Sequence, residues 1–307
     1  MPELPDIVVY VERIAERVVG QPLEKVRLAS PFLLRSVDPP IGEVTGKIVR
    51  ALSRLGKRIV FELDDELFLV LHLMVSGRLK WLARGVKVPG KIGLAAFDFP
   101  TGTLVLTEAS SKKRASLHVV RGRAGLAELH RGGLEVLDAT RDAFADVLTR
   151  ENHTLKRSLT DPRLFSGIGN AYSDEILHRA KLSPVQLSSK LTPDDITQLF
   201  DATRAVLVEW TDRLRAESAG GFPEKVTAFR PEMAAHGRYR LPCPVCGTPI
   251  QRIRYAENET NYCPTCQTKG KLLADRALSR LLRSDWPKTL EELEDRKLQK
   301  RGQDPGS

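Results

Sequence analysis

The chain has 307 residues, 41% of them hydrophobic and 28% charged, with a formal net charge of +9 and a pI near 9.5. Its length allows about two domains, each with its own core, and its composition excludes a chain disordered throughout. No apolar run approaches ~18 residues and the start is not basic-then-apolar, so neither a membrane span nor a signal peptide is supported, while the basic balance suggests a polyanionic partner.

The first stretch is Met1-Pro2-Glu3-Leu4-Pro5-Asp6. A bacterial methionine aminopeptidase removes Met1 when a small residue such as Pro2 follows. The mature chain then begins with a free proline amine beside the Glu3 carboxylate. An α-amino group titrates near pH ~8, so a usable fraction is an uncharged nucleophile able to form Schiff bases with carbonyls. The plainer reading is a frayed start with Pro5-Asp6 opening a helix. Asp6 reads as the N-cap of a helix running to about Val19, with Gly20 as the stop and Val11, Ile14, Ala15 and Val18 as the apolar stripe.

From Leu23 to about Val120 the pattern is of short β-type runs. Arg58–Leu63 and Leu67–Leu73 flank Asp64-Asp65-Glu66 as a hairpin, with further strands around Gly77–Leu82, Leu94–Phe99, Thr103–Thr107 and Ser116–Val120. This pattern predicts a β-sandwich or barrel with a helix at its front. Lys57, after Gly56, is either an exposed ammonium with a role or a solvated edge charge. His72 is either functional or a hydrogen-bonded core histidine. The basic stretch Ser110–Arg114 is either a solvated loop or one that reaches phosphates. Arginines and glycines over 121–134 read as a linker.

Helical periodicity follows. Phe144, Val147 and Leu148 mark one short helix, and Leu155 and Leu159 another. The clearest helix starts at Thr192-Pro193-Asp194-Asp195, with Thr192 as N-cap and Asp195 completing a capping box, and carries apolar positions from Ile196 to Leu214. In Phe165–Leu177, Gly167 and Gly169 precede Asn170 at an N-cap position, a helix–turn–helix junction whose backbone N–H groups suit a phosphate, with Lys156 as a matching charge. All four cysteines fall in two C-x-x-C pairs, Cys243/Cys246 and Cys263/Cys266, sixteen residues apart. That is ribbon-type spacing for one structural zinc ion in a reducing cytoplasm. Gln251–Tyr255 and Asn261–Tyr262 are the expected hairpin strands, with Ala256–Thr260 as the tip. A helix near Leu273–Leu282, with Leu278, Leu281 and Leu282 on one face, and a polar disordered end complete the chain.

Together these parts resemble the formamidopyrimidine-DNA glycosylase / endonuclease VIII family of base-excision repair enzymes, over roughly residues 1–267. Pro2-Glu3-Leu4-Pro5-Asp6 matches its PELPE start apart from Asp6, and Lys57 stands at its hairpin lysine. His72–Gly77 matches HLGMSG at four of six positions, Gly167–Glu175 is close to GIGNIYADE, and Cys263-Pro-Thr-Cys266-Gln267 closes its zinc finger. The resemblance implies an α+β chain. It would comprise a catalytic β-sandwich domain with a flanking helix (1–121), a linker (122–138), a helix–two-turn–helix domain (139–240), a zinc finger (241–267) and a charged tail (268–307).

The resemblance further implies a DNA glycosylase with AP lyase activity that flips the damaged nucleotide out of the duplex. Pro2 would attack C1′ to form a Schiff base, Glu3 would move protons at the ring oxygen, and Lys57 would serve as acid or phosphate anchor; β- and δ-elimination would then cut the strand. His72, Lys156, Gly169, Asn170, Tyr172 and the zinc hairpin would contact DNA. Three departures stand out. The family's hairpin-tip arginine falls on Asn258. Its intercalating methionine falls on Val75, with Met74 in place of the preceding glycine. Its RRFG aligns with Lys112-Lys113-Arg114-Ala115, leaving Lys113 or Arg114 to occupy the void without the stacking a phenylalanine gives. The expected partner is double-stranded DNA with damaged bases or abasic sites, bound by a monomer in the bacterial cytoplasm without any membrane. Ser218–Arg238 is the expected lesion-contacting loop. A non-catalytic binder of kinked or damaged DNA on the same scaffold is the alternative, and a zinc-ribbon RNA binder leaves the N-terminal segment unexplained.

Overall fold

A computed structural model of the chain describes all residues except 224, 225, 228, 256, 257, 275–286, 294 and 297–307, with 255 and 258 described by their backbone alone. The expected helix near Leu273–Leu282 therefore lies almost wholly outside the described residues, whereas the described part of the end expected to be disordered, 287–293, is ordered into a helical turn, with Leu293 N–H donating to the Thr289 carbonyl at 3.1 Å and Leu272 N–H to the Lys288 carbonyl at 2.9 Å. The chain forms two compact units. The first comprises Met1–Glu135, Pro162–Ile168 and the segment from Leu207 through residue 228; the second comprises Val136–Asp161, Gly169–Val206 and the chain from Phe229.

The first unit is a β-sandwich with one helix. Helix α1 (Leu4–Val18) turns Ile7, Tyr10, Ile14 and Val18 into the core, whereas Val11 and Ala15 are only half-buried, so the stripe lies one step round from the expected one. Gly20, at φ +80°, ends it in the conformation glycine adopts without strain. The strands are β1 (Lys25–Leu28), β2 (Val49–Leu55), β3 (Arg58–Leu63), β4 (Leu67–His72), β5 (Gly77–Leu82), β6 (Gly93–Phe99), β7 (Gly102–Glu108) and β8 (Ser116–Arg121). They make two antiparallel four-stranded sheets in the orders β1-β6-β7-β5 and β2-β3-β4-β8. Ile59, Phe61, Leu69, Leu71, Leu117 and Val119 of the second sheet meet Phe97, Phe99, Leu104 and Leu106 of the first in one core.

The expected linker begins as helix α2 (Gly122–Glu128). Its glycines disguise it, but Leu126 and Leu129 pack on Val60, Phe68 and Val70 of the second sheet's outer face, and that burial outweighs weak helix propensity.

The second unit holds α3 (Arg141–Thr149), α4 (Leu155–Thr160), α5 (Asn170–Arg179), the first half of α6 (Pro193–Glu217), a hairpin of β9 (Gln251–Tyr255) and β10 (Asn258–Tyr262), and α7 (Pro264–Thr268). The expected capping box opens α6: Thr192 N–H donates to Asp195 Oδ2 at 2.9 Å and Asp195 N–H to Thr192 Oγ1 at 3.1 Å. Only two residues separate β9 from β10, so Asn258 starts the second strand opposite Tyr255 rather than sitting at a five-residue tip. No helix among the described residues is long and apolar enough to cross a membrane.

Candidate active site

A helix leaves its first backbone N–H groups without internal partners, and α1 solves this in a way that fixes the chain's start. Leu4 N–H donates to the Gly167 carbonyl at 2.9 Å, Pro5 has no N–H, and Ile7 N–H reaches the Glu3 carbonyl at 2.9 Å. Glu3 and Asp6 form a capping box in which Asp6 Oδ2 accepts the Glu3 N–H at 2.9 Å. Glu3, not Asp6, is therefore the N-cap; Asp6 is the third helical residue, where a carboxylate suits both the box and the helix dipole. Pro2 and Glu3 are buried, Glu3 to 2% exposure.

Charges converge on the amine at the start of the chain. Burial lowers its pKa from the ordinary 8.0; Glu3 and Asp6 oppose that shift, while Arg78 and Lys57 add to it. Sequence reasoning missed Arg78, in β5, although it follows His72–Gly77 directly. Its guanidinium donates to the Gly77 carbonyl at 2.7 Å and to the Val75 carbonyl at 3.2 Å.

Lys57 is the second residue of a two-residue turn between β2 and β3, with Gly56 at φ +62° in the first place. Arg54 donates to the Gly56 carbonyl at 2.8 Å and to Ser166 Oγ at 3.3 Å, and its guanidinium pairs with Glu135, which also accepts a hydrogen bond from Ser166. The turn bearing Lys57 is thereby tied to the segment whose Gly167 carbonyl caps α1. Gly167 has φ +80°, and a Cβ there would lie 2.8 Å from Leu4 Cβ. In the structure this glycine is the surface against which the start of α1 packs.

His72 is half-buried, and its pKa is pushed down to about 4 by burial, then by Arg58, Lys57, Arg131 and His118, so it is neutral near pH 7. Met74 occupies the left-handed region at φ +52°, and Val75 is 51% exposed. In the basic loop, the buried Glu108 carboxylate accepts the N–H groups of Arg114 at 2.9 Å and Ala115 at 3.1 Å, and Lys113 donates to the Glu108 carbonyl. Lys113 is thus half-buried and engaged within the loop, whereas Lys112 and Arg114 are exposed.

In the second unit Gly169 is the N-cap of α5 and Asn170 its first helical residue, a correction of one position. Lys156 Nζ donates to the Asn170 carbonyl at 2.7 Å and to Asp174 at 2.5 Å. Asp174, fully buried, also accepts from Asn261 at 3.2 Å and meets His236 Nδ1 at 2.7 Å. Asn170 Nδ2 donates to the Glu259 carbonyl at 2.8 Å, joining α5 to β10. Tyr172 is a core residue, 2% exposed. Of the expected lesion loop, Phe222 and Val226 pack on the first unit's core. Its later part is held in the second unit by Glu175, whose carboxylate accepts the N–H groups of Ala234, Ala235 and His236 at 2.7–2.9 Å.

The four cysteine sulfurs lie within 4.8 Å of one another, with Cys243–Cys266 at 3.9 Å and Cys246–Cys263 at 3.4 Å, and none forms a disulfide. Tetrahedral thiolates at a Zn–S distance of about 2.3 Å are separated by about 3.8 Å, so the residues fit one structural zinc ion. His178 Nε2 lies 3.2 Å from Cys243 Sγ, the kind of outer contact that orients a ligating thiolate.

Three family models match the chain in order: the formamidopyrimidine-DNA glycosylase N-terminal domain over residues 1–123, its H2TH domain over 134–214, and the zinc finger found in FPG and IleRS over 240–269. The formamidopyrimidine-DNA glycosylase of Desulforamulus reducens is 30% identical, covering 87% of this chain and 99% of that protein. The chain belongs to the formamidopyrimidine-DNA glycosylase family. An uncharacterized formamidopyrimidine-DNA glycosylase-like protein of Mycobacterium tuberculosis is 42% identical over 49% of this chain and 94% of its own length. Among solved structures, the Lactococcus lactis member of this glycosylase family, in complex with abasic-site DNA, matches at TM-score 0.76 and 25% identity, covering 87% of this chain and 99% of that one. A MutM in complex with carbocyclic 8-oxo-G containing DNA matches at TM-score 0.76 and 26% identity. The β-sandwich, helical region and cysteine ribbon are thus this glycosylase family's architecture.

Proposed function

We propose that the protein is a bifunctional DNA glycosylase and AP lyase acting on oxidised or ring-opened bases in duplex DNA, with Pro2 as nucleophile. The observation that carries this reading is a buried, fixed chain start where the amine is held below its ordinary pKa with Glu3, Lys57 and Arg78 acting on it. Once Met1 is removed, the neutral Pro2 amine attacks C1′, the bond from C1′ to the base breaks, and the base leaves. Glu3 protonates the ring oxygen as the sugar opens to an iminium ion; loss of a C2′ proton expels the 3′ phosphate, and a second elimination expels the 5′ phosphate. Lys57 serves as acid or anchors a phosphate. In this reading residues 1–121 carry the chemistry, and His72, Val75, Arg114, Lys156, Gly169, Asn170 and the zinc hairpin hold the DNA. The bacterial homologues and reduced cysteines support a cytoplasmic place beside the nucleoid.

Borohydride reduction with abasic-site duplex tests the proposal. A covalent adduct on the N-terminal residue is expected from wild type, and Glu3→Gln should cut strand nicking by two orders of magnitude or more. A chain shown by mass spectrometry to begin at Pro2, yet untrappable, is not an AP lyase. It would then be a non-catalytic binder of damaged or kinked DNA, a reading favoured by the engagement of Lys113 within its own loop.

A further inference from the structure

The outer face of the second sheet is apolar at one end and cationic at the other. Cross-strand partners share a face of a sheet, and Arg58 pairs with His72, His72 with Ser116, and Val70 with His118. Arg58, His72 and His118 therefore project from the same side as Val60, Phe68 and Val70. The α2 segment covers the apolar end with Leu126 and Leu129, and Arg58 Nη1 donates to the Leu129 carbonyl at 3.0 Å. Beyond Leu129 a tight turn, in which Gly132 N–H donates to His130 Nδ1 at 3.0 Å, displays Arg131 on the surface. Arg163 arrives from the segment joined to the chain at Leu134, whose N–H donates to the Leu164 carbonyl at 2.9 Å. Arg58, Arg131 and Arg163 line a single cavity of about 410 Å³, with Glu128, Leu129 and His130.

The lining of this cavity carries more positive than negative charge. Glu128 is its one carboxylate, and among the described residues neither Arg58 nor Arg131 has a carboxylate within ion-pair distance. Arg58 Nε is buried without a hydrogen-bond partner. Burial, then the charge of Arg131, lowers the Arg58 pKa, and Arg58 in turn helps to keep His72 and His118 neutral. Like charges gathered against a low-dielectric wall repel one another until an anion neutralises them.

We propose that this cavity is an anion subsite that takes a backbone phosphate of the bound duplex, with Arg58 at its floor and Arg131 and Arg163 at its mouth. Guanidinium forks match phosphate oxygens two at a time and stay charged at any working pH. This subsite rests on the DNA-binding reading above and adds a contact to it, at residues that no sequence argument singled out. Such a contact adds affinity without reading sequence or lesion, since phosphates position a duplex rather than specify it.

The test is equilibrium binding of the full-length protein to a duplex with a stable abasic analogue, and to undamaged duplex, over a range of KCl. Arg131→Gln and the double variant R58Q/R131Q are compared with wild type and with Arg84→Gln, which removes a charge paired to Glu24 instead. The double variant should bind about tenfold more weakly at low salt on both duplexes, and the slope of log K against log salt should fall by about one. Arg84→Gln should keep the wild-type slope. Arg131 is exposed, so the single variant still reads the contact if R58Q fails to fold. Wild-type slopes in both variants overturn the proposal. If inorganic phosphate raises the Tm of wild type but not of the double variant while the DNA slopes stay equal, the duplex assignment is overturned in favour of free phosphate. Borohydride trapping is scored separately: a wild type that binds with the expected slope but is never trapped sinks the catalytic reading and leaves this one standing.

Discussion

Pro2 and Glu3 lie at the entry to α1, and their surroundings set the pH at which an amine there is useful. Burial, Arg78 and Lys57 lower the pKa of the chain's terminal amine, and Glu3 and Asp6 oppose them. The proposed mechanism has the Pro2 amine face these same neighbours once Met1 is removed. On the proposed mechanism the neutral amine attacks, so the acid limb of the borohydride-trapping rate reports the pKa that these neighbours set. Arg78→Gln removes a charge that disfavours the protonated amine, so its limb should move to higher pH; an unmoved limb would show that Arg78 does not act on the nucleophile. His72 makes a separate prediction about stability. Its pKa of about 4 in the fold lies below the ordinary 6.5, so between those values the unfolded chain binds a proton that the folded one does not. Stability from this group is full above pH 6.5 and is lost as pH falls towards 4. Urea midpoints from pH 4 to 7 should fall less steeply in His72→Gln, by up to one proton. Equal slopes in the two proteins would mean that His72 is not held neutral by burial and its cationic neighbours.

At the scale of elements, Gly167 and Gly169 look alike in sequence but do different jobs: Gly167 receives the first N–H of α1, and Gly169 caps α5. Gly167→Ala places a methyl 2.8 Å from Leu4 Cβ and a side chain at φ +80°. The left-handed conformation alone costs about 1–2 kcal/mol, and relieving the contact displaces the start of α1. A displacement of about 1 Å at a reacting group costs on the order of 10²-fold in rate, so trapping should slow by that much while zinc content stays at one ion per chain. Trapping at the wild-type rate would remove Gly167 from the positioning of Pro2. The strands that were legible in sequence, β3 to β8, carry near-continuous apolar runs or clear alternation. By contrast, β1 (Lys-Val-Arg-Leu) is a strand because Arg27 reaches Asp98 in β6, with nitrogen–oxygen distances of 2.7 and 2.8 Å, a partner 71 residues away that no local window contains. A bulge between Val49 and Ala51 breaks the alternation of β2. Arg54, Glu135 and Ser166 escaped notice for the same reason, since only the fold joins residues so far apart into a brace for Lys57. Pro2, Glu3 and the cysteines were legible because their chemistry depends on adjacency and short spacing, which a sequence displays directly.

At the scale of the whole molecule, the two units differ in what holds them, and zinc removal should separate them. The β9–β10 hairpin has a very small core of Cys243, Ile250 and Cys263, with Cys266 packed against it. Two strands alone are marginal in water, so binding of metal by the four thiolates supplies the folding free energy of this ribbon. The ribbon is joined to α5 through Asn170 to the Glu259 carbonyl and Asn261 to Asp174, the same carboxylate that holds Lys156. Chelation should therefore release the hairpin, loosen the first turn of α5 and abolish tight duplex binding. The first unit has a core of its own, drawn from α1 and both sheets. Its thermal transition, followed by the near-ultraviolet signal of Trp81 and Trp210 in a Trp286→Phe background, should survive chelation within a few degrees. Reactivity of the N-terminal amine towards a small aldehyde under borohydride should survive as well. Loss of both signals along with the zinc would show that the ion stabilises the whole chain; retention of tight duplex binding by the zinc-free protein would take the hairpin out of the DNA interface.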